Sequence, residues 1–194
     1  MRENLEKLEQ FAREKFIPVL LDDTRELLIN TVTELKPSSI LEIGTAIGYS
    51  GTLMLLSTDA NLTTMELSED SIAIAENTFK ENGVFDRVTQ LHGDAKEVLA
   101  TLSGKYDFIF LDGPKGQYIR YLPMLINLLN VGGVIFADNV LYKGMVESTE
   151  FIPHKKRTIV VNLRKYLNEV TNSDRFDTIV HKIGDGVAIS KLLK

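Results

Sequence analysis

The eleven residues 40-ILEIGTAIGYS-50 decide the fold. An apolar run at 40–44 ends in glycine, and a second glycine four positions on opens a segment at 49–57 with helical spacing. This is a strand turning sharply into a helix. Gly44 and Gly48 let the backbone turn tightly and approach a ligand. The dinucleotide fingerprint G-x-G-x-x-G would need glycine at 44, 46 and 49, where the chain has Gly44, Ala46 and Tyr49. A nicotinamide or flavin dehydrogenase therefore loses weight. The form E-x-G-x-x-x-G, beginning at Glu42, suits an adenosylmethionine site, where no pyrophosphate has to be cradled. A strand-to-helix turn without a ligand would use the same residues.

Working outward, short apolar runs at 62–67, 88–92, 106–112 and 133–138 alternate with helical patterns at 70–82, 95–102 and 117–129. Alternation of this kind predicts βαβ units and a mostly parallel, twisted sheet with helices on both faces. The continuous apolar runs FIFL and VIFA fit strands buried on both sides. After a helix at 155–170, FDTIVHKI and GVAISKLL flank Gly184-Asp185-Gly186, so the sheet should close on an antiparallel hairpin. Upstream, Asp22 or Asp23 is placed to cap a helix running to Leu35, which Pro37 closes off. The first residues form an amphipathic pattern with Leu5, Leu8, Phe11 and Ala12 on one stripe.

The chain of 194 residues suits one domain of ordinary size. Its expected parts are N-terminal helices at 1–36, a cofactor-binding core at 37–139, and a substrate loop, helix and hairpin at 140–194. No apolar run approaches the roughly 20 residues that span a bilayer. The charged N-terminus lacks the apolar core of a signal peptide. With no cysteine there is no disulfide and no thiolate metal site. A cytoplasmic protein without a membrane partner is the expectation. Net charge is −5, yet residues 140–194 hold ten Lys and Arg against six Asp and Glu, leaving 1–139 at −9. Such asymmetry can mark an interaction surface.

Ligands of open α/β sheets bind beyond the carboxyl ends of the strands. Glu66, at the second strand end and 22 residues after Gly44, is placed to accept both ribose hydroxyls; a helix cap or a solvated acid is the plainer alternative. The third strand ends in Gly93-Asp94-Ala95, which could border an adenine, and Asp94 serves equally as a helix cap. The fourth and fifth strands end in Asp112 and in Asp138-Asn139. Three oxygen ligands, two anionic, suit a hard cation such as Mg²⁺, although Asp-Gly and Asp-Asn are also common turn sequences. Lys115, three positions after Asp112, could be a general base or a surface lysine at a helix start. His92, His154 and His181 share no metal-binding spacing. No G-x-S-x-G elbow or Walker loop is present.

Together, ILEIGTAIGYS, Glu66, DFIFLDGPKGQY, GGVIFADNVLYKGMV and GDGVAIS resemble the cation-dependent O-methyltransferases, which include the catechol and caffeoyl-CoA enzymes. The likeness runs from about Ile17 to Lys191. It implies a Rossmann-like class I methyltransferase fold, S-adenosyl-L-methionine as cofactor and Mg²⁺ or Mn²⁺ as metal. It places Leu20, Glu42, Gly44, Thr45, Ser50, Glu66, Gly93, Asp94, Ala95 and Asp112 around the cofactor. Asp112, Asp138 and Asn139 become metal ligands, and Lys115, with Asp112, becomes catalytic. Within the family, the IPV segment at 17–19, the KGQY loop and the HKKR segment are most similar to bacterial tRNA 5-hydroxyuridine methyltransferases. That likeness implies a tRNA anticodon-loop partner and a homodimer. Lys155, Lys156 and Arg157 start the helix after Pro153, and Arg164 lies about two turns beyond Arg157 on the same face; the four could contact RNA phosphates or form an ordinary solvated helix face. A small catechol-like or phenolic substrate is the alternative. The loop carries Gly113-Pro114 where many bacterial relatives have alanines, which leaves substrate preference open.

Overall fold

The computed structural model describes residues 2–194, with side chains from Asn4 onward. Contacts group the chain into two compact units, 1–98 and 99–194. The first holds α1 (Arg2–Glu14), α2 (Asp22–Leu35), β1 (Ser39–Ile43), α3 (Tyr49–Leu56), β2 (Asn61–Glu66), α4 (Glu69–Glu81) and β3 (Val88–His92). The boundary falls inside α5 (Ala95–Thr101). The second unit then holds β4 (Tyr106–Leu111), α6 (Tyr118–Leu128), β5 (Leu129–Ala137), α7 (His154–Asn172), β6 (Phe176–His181) and β7 (Val187–Leu192). The architecture is the expected mostly parallel, Rossmann-like α/β fold ending in an antiparallel hairpin.

In the first unit the strands run in the order β3-β2-β1, all parallel, with Ile43 opposite Met65 and Glu66 opposite His92. Ile40, Leu41 and Ile43 are fully buried, as a strand covered on both faces requires. Leu28 and Val32 of α2, Met54 and Leu55 of α3, and Ala75 and Phe79 of α4 belong to the same core. Gly48 begins α3 at φ 80°. A Cβ there would stand 3.2 Å from both Ala75 and Phe79, so this glycine serves helix packing as well as the turn. Ala12 of α1 is fully buried, while Leu5, Leu8 and Phe11 are half-buried.

Neither Asp22 nor Asp23 caps α2. The N-cap is Leu21, and both aspartates lie in the first turn, where negative charge is favourable beside the exposed N–H groups. Asp22 instead pairs with Arg25 at 2.8 Å.

The second unit has the strand order β4-β5-β7-β6. β5 begins at Leu129, four residues earlier than the pattern suggested, because the pairing with β4 shifts between Tyr106 and Phe108 and a bulge takes up the extra residues. From there the register is regular, with Phe108 opposite Val134 and Leu111 opposite Ala137. The terminal hairpin is present, but its connection at 182–186 is wider than a two-residue Asp-Gly turn. Gly186, at φ 84°, lies so close to Leu141 that a Cβ would reach within 2.2 Å of that side chain.

Candidate active site

The glycine loop of the first unit is built around a buried acid. Glu42, at the penultimate position of β1, is fully buried and accepts hydrogen bonds from Ser50 Oγ at 2.5 Å and Thr64 Oγ1 at 2.6 Å. Hydroxyl donors satisfy a carboxylate that burial alone would penalise. Thr45 is buried and shares a 2.5 Å hydrogen bond with Thr64. Gly44, at φ 101°, and Thr45 both donate their N–H to the Met65 carbonyl, at 3.0 and 3.1 Å. The loop is thus tied to the tip of β2 before any ligand arrives.

Glu66 completes that tie. Its Oε2 accepts from the Ala46 N–H at 3.0 Å, and its Oε1 accepts from the N–H groups of Leu67 and Ser68 at 2.9 and 3.0 Å. Three amides orient the carboxylate while it stays half-exposed. Gly93, at φ 147°, donates to the Glu66 carbonyl at 3.0 Å. Asp94 caps α5: its Oδ1 accepts from Lys96 N–H at 2.8 Å and its carbonyl from Val98 at 2.9 Å. Ala95 is the first residue of that helix. Leu20 is buried in the connection between α1 and α2. An acid at the tip of β2 facing a glycine loop suits the two hydroxyls of an adenosine ribose.

The second unit brings the two candidate carboxylates together through strand register. Leu111 and Ala137 are paired across parallel strands, so Asp112 and Asp138 leave β4 and β5 side by side. Tyr118, fully buried at the start of α6, directs its hydroxyl to the carbonyls of Leu111 and Asp138, 3.1 Å from each. Nothing in the pattern of residues marks this tyrosine beyond its apolar helix position. Asp138 is 4% exposed. Burial first, and then the negative charge of Asp112, push its carboxyl up to about 7, against the opposing hydrogen bond from Asn139 N–H at 2.6 Å. Burial also raises Asp112, and the Lys115 ammonium opposes that shift; Lys115 Nζ donates directly to Asp112 Oδ1. Asn139 adopts φ 56°, a left-handed conformation that asparagine tolerates.

The hairpin supports this corner. Val140 N–H donates to the Gly186 carbonyl at 2.9 Å, Leu141 N–H to the Asp185 carbonyl at 3.0 Å, and Lys143 N–H to the Asp185 carboxylate. Among the described residues, no group of three or more His, Cys, Asp or Glu converges. The candidate metal set is therefore two carboxylates and one amide. These hard oxygen donors fit Mg²⁺ or Mn²⁺, and the raised Asp138 carboxyl is a charge that a cation would relieve.

The basic residues of α7 divide. Lys155 and Arg157 are exposed in its first turn. Lys156 donates to the Tyr142 hydroxyl at 2.9 Å and lies 5.3 Å from the centre of that ring. Arg164 points elsewhere: its guanidinium donates to the carbonyls of Val146 at 2.8 Å, Ser148 at 2.6 Å and Met145 at 3.3 Å. It is exposed like its neighbours, but it also braces the loop that follows the fifth strand.

Comparison with known proteins identifies the family of the chain. The O-methyltransferase family model matches residues 4–193. Caffeoyl-CoA O-methyltransferase of Stellaria longipes is 31% identical over 176 residues, covering 86% of this chain and 73% of that protein. Catechol O-methyltransferase of Bos taurus is 31% identical over 166 residues, covering 81% of this chain and 61% of that protein. The crystal structure of the O-methyltransferase TomG of Streptomyces achromogenes, in complex with SAM, superposes with a TM-score of 0.86 at 25% identity, covering 99% of this chain and 90% of that one. The chain belongs to the O-methyltransferase family. It is an S-adenosylmethionine-dependent O-methyltransferase. Among the described residues, no helix is long and apolar enough to cross a membrane.

Proposed function

We propose that this enzyme methylates the 5-hydroxyl of 5-hydroxyuridine at the wobble position of tRNA, with a divalent cation held by Asp112, Asp138 and Asn139. The observation that carries the chemistry is the pair of carboxylates set side by side by the Leu111–Ala137 register, with Lys115 bonded to one of them. When bound there, the cation would supply Lewis acidity to a hydroxyl flanked by a second oxygen. In this reading Glu66 holds the ribose of S-adenosylmethionine. Glu42, Gly44, Thr45 and Ser50 shape the loop along its methionine part, while Leu20, Gly93, Asp94 and Ala95 border the rest. Lys115 first releases its ammonium proton to solvent and then takes the proton of the substrate hydroxyl. The hydroxyl oxygen then forms the new C–O bond as the methyl–sulfur bond breaks, the electron pair returns to sulfur, and S-adenosylhomocysteine leaves.

The RNA assignment is supported by the exposed cations Lys155 and Arg157 opening α7, beside Lys156, and by the positive balance of residues 140–194. A second reading, a small catechol-like or phenolic acceptor, uses the same residues and is favoured by the relatives named for caffeoyl-CoA and catechol. A single cytoplasmic domain acting as a homodimer completes the proposal. The deciding experiment offers labelled cofactor together with tRNA from a strain lacking this gene, and separately with a catechol panel. Label in tRNA that digests to 5-methoxyuridine supports the first reading. Turnover of the catechols alone overturns it.

A further inference from the structure

The first turn of α3 is anchored on two sides. Ser50 ties it inward to the buried Glu42. Tyr49, one residue earlier and 4% exposed, ties it outward to α1 and α2. The Tyr49 hydroxyl donates to Glu9 Oε1 of α1 and accepts from Arg25 Nη1 of α2 at 3.1 Å. Arg25 Nη1 also donates to the same Glu9 oxygen at 2.9 Å, so three groups from three helices close a triangle. Arg25 is held further by Asp22 at 2.8 Å, and Arg13 stands 3.8 Å from the other Glu9 oxygen. Leu5, Ile29 and Leu53 line an adjoining cleft of about 300 Å³ together with Glu6, Glu9, Arg25 and Tyr49. Burial, and then the bond to Glu9, push the Tyr49 hydroxyl up to about 12, so it remains a neutral donor throughout the working pH range.

Consecutive residues of an α-helix point about 100° apart. Anchors at Tyr49 and Ser50 therefore fix both the rotation and the position of the helix end, where a single anchor would leave one of them free. That end borders the loop carrying Gly44, Thr45 and Ala46, and no side chain caps it. We propose that Glu9, Tyr49 and Arg25 form a positioning network through which α1 sets the glycine loop for S-adenosylmethionine. Folding of α1 and cofactor binding are then coupled, although none of the three residues needs to touch the cofactor. The inference rests on the reading of this loop as the cofactor site.

The test uses the full chain and S-adenosylmethionine itself. Calorimetry on wild type, Glu9→Gln, Tyr49→Phe and the double variant is combined with thermal melts and hydrogen exchange over residues 44–50. Each single variant should weaken cofactor affinity about fivefold or more. The double variant should be no weaker than the worse single, because both remove one link. Exchange at the loop should quicken, and kcat at saturating cofactor should hold. If Glu9→Gln fails to fold, Tyr49→Phe, which deletes one oxygen, carries the same comparison. Lower melting temperatures with unchanged affinity and unchanged loop exchange would make the network an ordinary packing contact and overturn the inference. Wild type that binds no S-adenosylmethionine would overturn the reading beneath it as well, which separates the two failures.

Discussion

Lys115 donates a hydrogen bond to Asp112, the carboxylate that also presses on Asp138 from the neighbouring strand tip. The lysine offered as proton acceptor therefore begins as a cation bonded to an offered metal ligand. It must give up its extra proton before it can take one from a substrate. In the proposed mechanism the lysine therefore bears on the chemical step rather than on cofactor binding. Lys115→Ala should lower kcat by about 10²–10⁴-fold, the usual range for general-base steps, and leave S-adenosylmethionine affinity unchanged. Single-turnover rates across pH 6–9, with calorimetry alongside, check this. A rate that does not change once chemistry is shown to limit it would make Lys115 a bystander.

Asp138 gives a pH dependence of definite sign. Its carboxyl is raised from 3.8 to about 7 in the folded protein without metal. Between these values the folded state holds a proton that the unfolded chain has released. The stability contributed by this group is therefore complete below about pH 4 and is lost as pH rises through about 7. A cation needs the ionised carboxylate, so its affinity should weaken as pH falls below about 7. In chelator, wild type should lose melting temperature relative to Asp138→Asn over that window, and Mg²⁺ should restore it near pH 8. Chelation should also abolish turnover. Parallel melting profiles for the two proteins, with full activity in chelator, would remove both Asp138 and the metal from the mechanism.

Glu66 has one observed role and one proposed role, and substitution can separate them. Its carboxylate organises the loop through Ala46, Leu67 and Ser68 N–H, and the proposal adds the ribose hydroxyls. Glu66→Ala should weaken S-adenosylmethionine binding by about 1.5–3 kcal/mol, tenfold or more, and lower the melting temperature without ligand. Glu66→Gln keeps the size of the side chain but replaces one acceptor oxygen with a donor that opposes an amide. It should therefore lose affinity too. If Glu66→Ala melts lower yet binds the cofactor like wild type, the acid is only a brace.

What the sequence displayed was periodic or local. Runs such as FIFL and VIFA located buried strands because a strand covered on both faces must be apolar throughout. Gly44, Glu66, Asp112 and Asp138 stood out because they end those runs. What it concealed depends on partners distant along the chain. Tyr118 looks like a core aromatic, and only the folded chain shows its hydroxyl reaching the carbonyls at both strand tips. Asp185 looks like a turn residue, yet it receives Lys143 N–H from 42 positions upstream. Arg164 shares helical phase with Arg157, but phase does not reveal that three carbonyls lie within its reach. The early start of β5 was hidden because Asn130, Gly132 and Gly133 interrupt the apolar run that marks a buried strand, where the pairing with β4 shifts.

That difference between Arg164 and its neighbours makes the RNA proposal sharper to test. Phosphate contacts release counterions, so affinity for tRNA should fall as salt rises, with a slope near −0.7 per contact for single-stranded RNA. Lys155, Lys156 and Arg157 sit together in the exposed first turn of α7. Changing all three to alanine should flatten the slope by about 2 and weaken tRNA binding, while cofactor affinity holds. Arg164→Ala should behave differently. It removes donors from the carbonyls of Met145, Val146 and Ser148, so it should loosen that loop, speed its hydrogen exchange and leave the salt slope nearly intact. Filter binding from roughly 50 to 300 mM salt, with methylation of hypomodified tRNA as the second readout, distinguishes the two residue sets. If the triple variant keeps the wild-type slope and rate, α7 is not the RNA surface, and the phenolic reading becomes the better account of the enzyme.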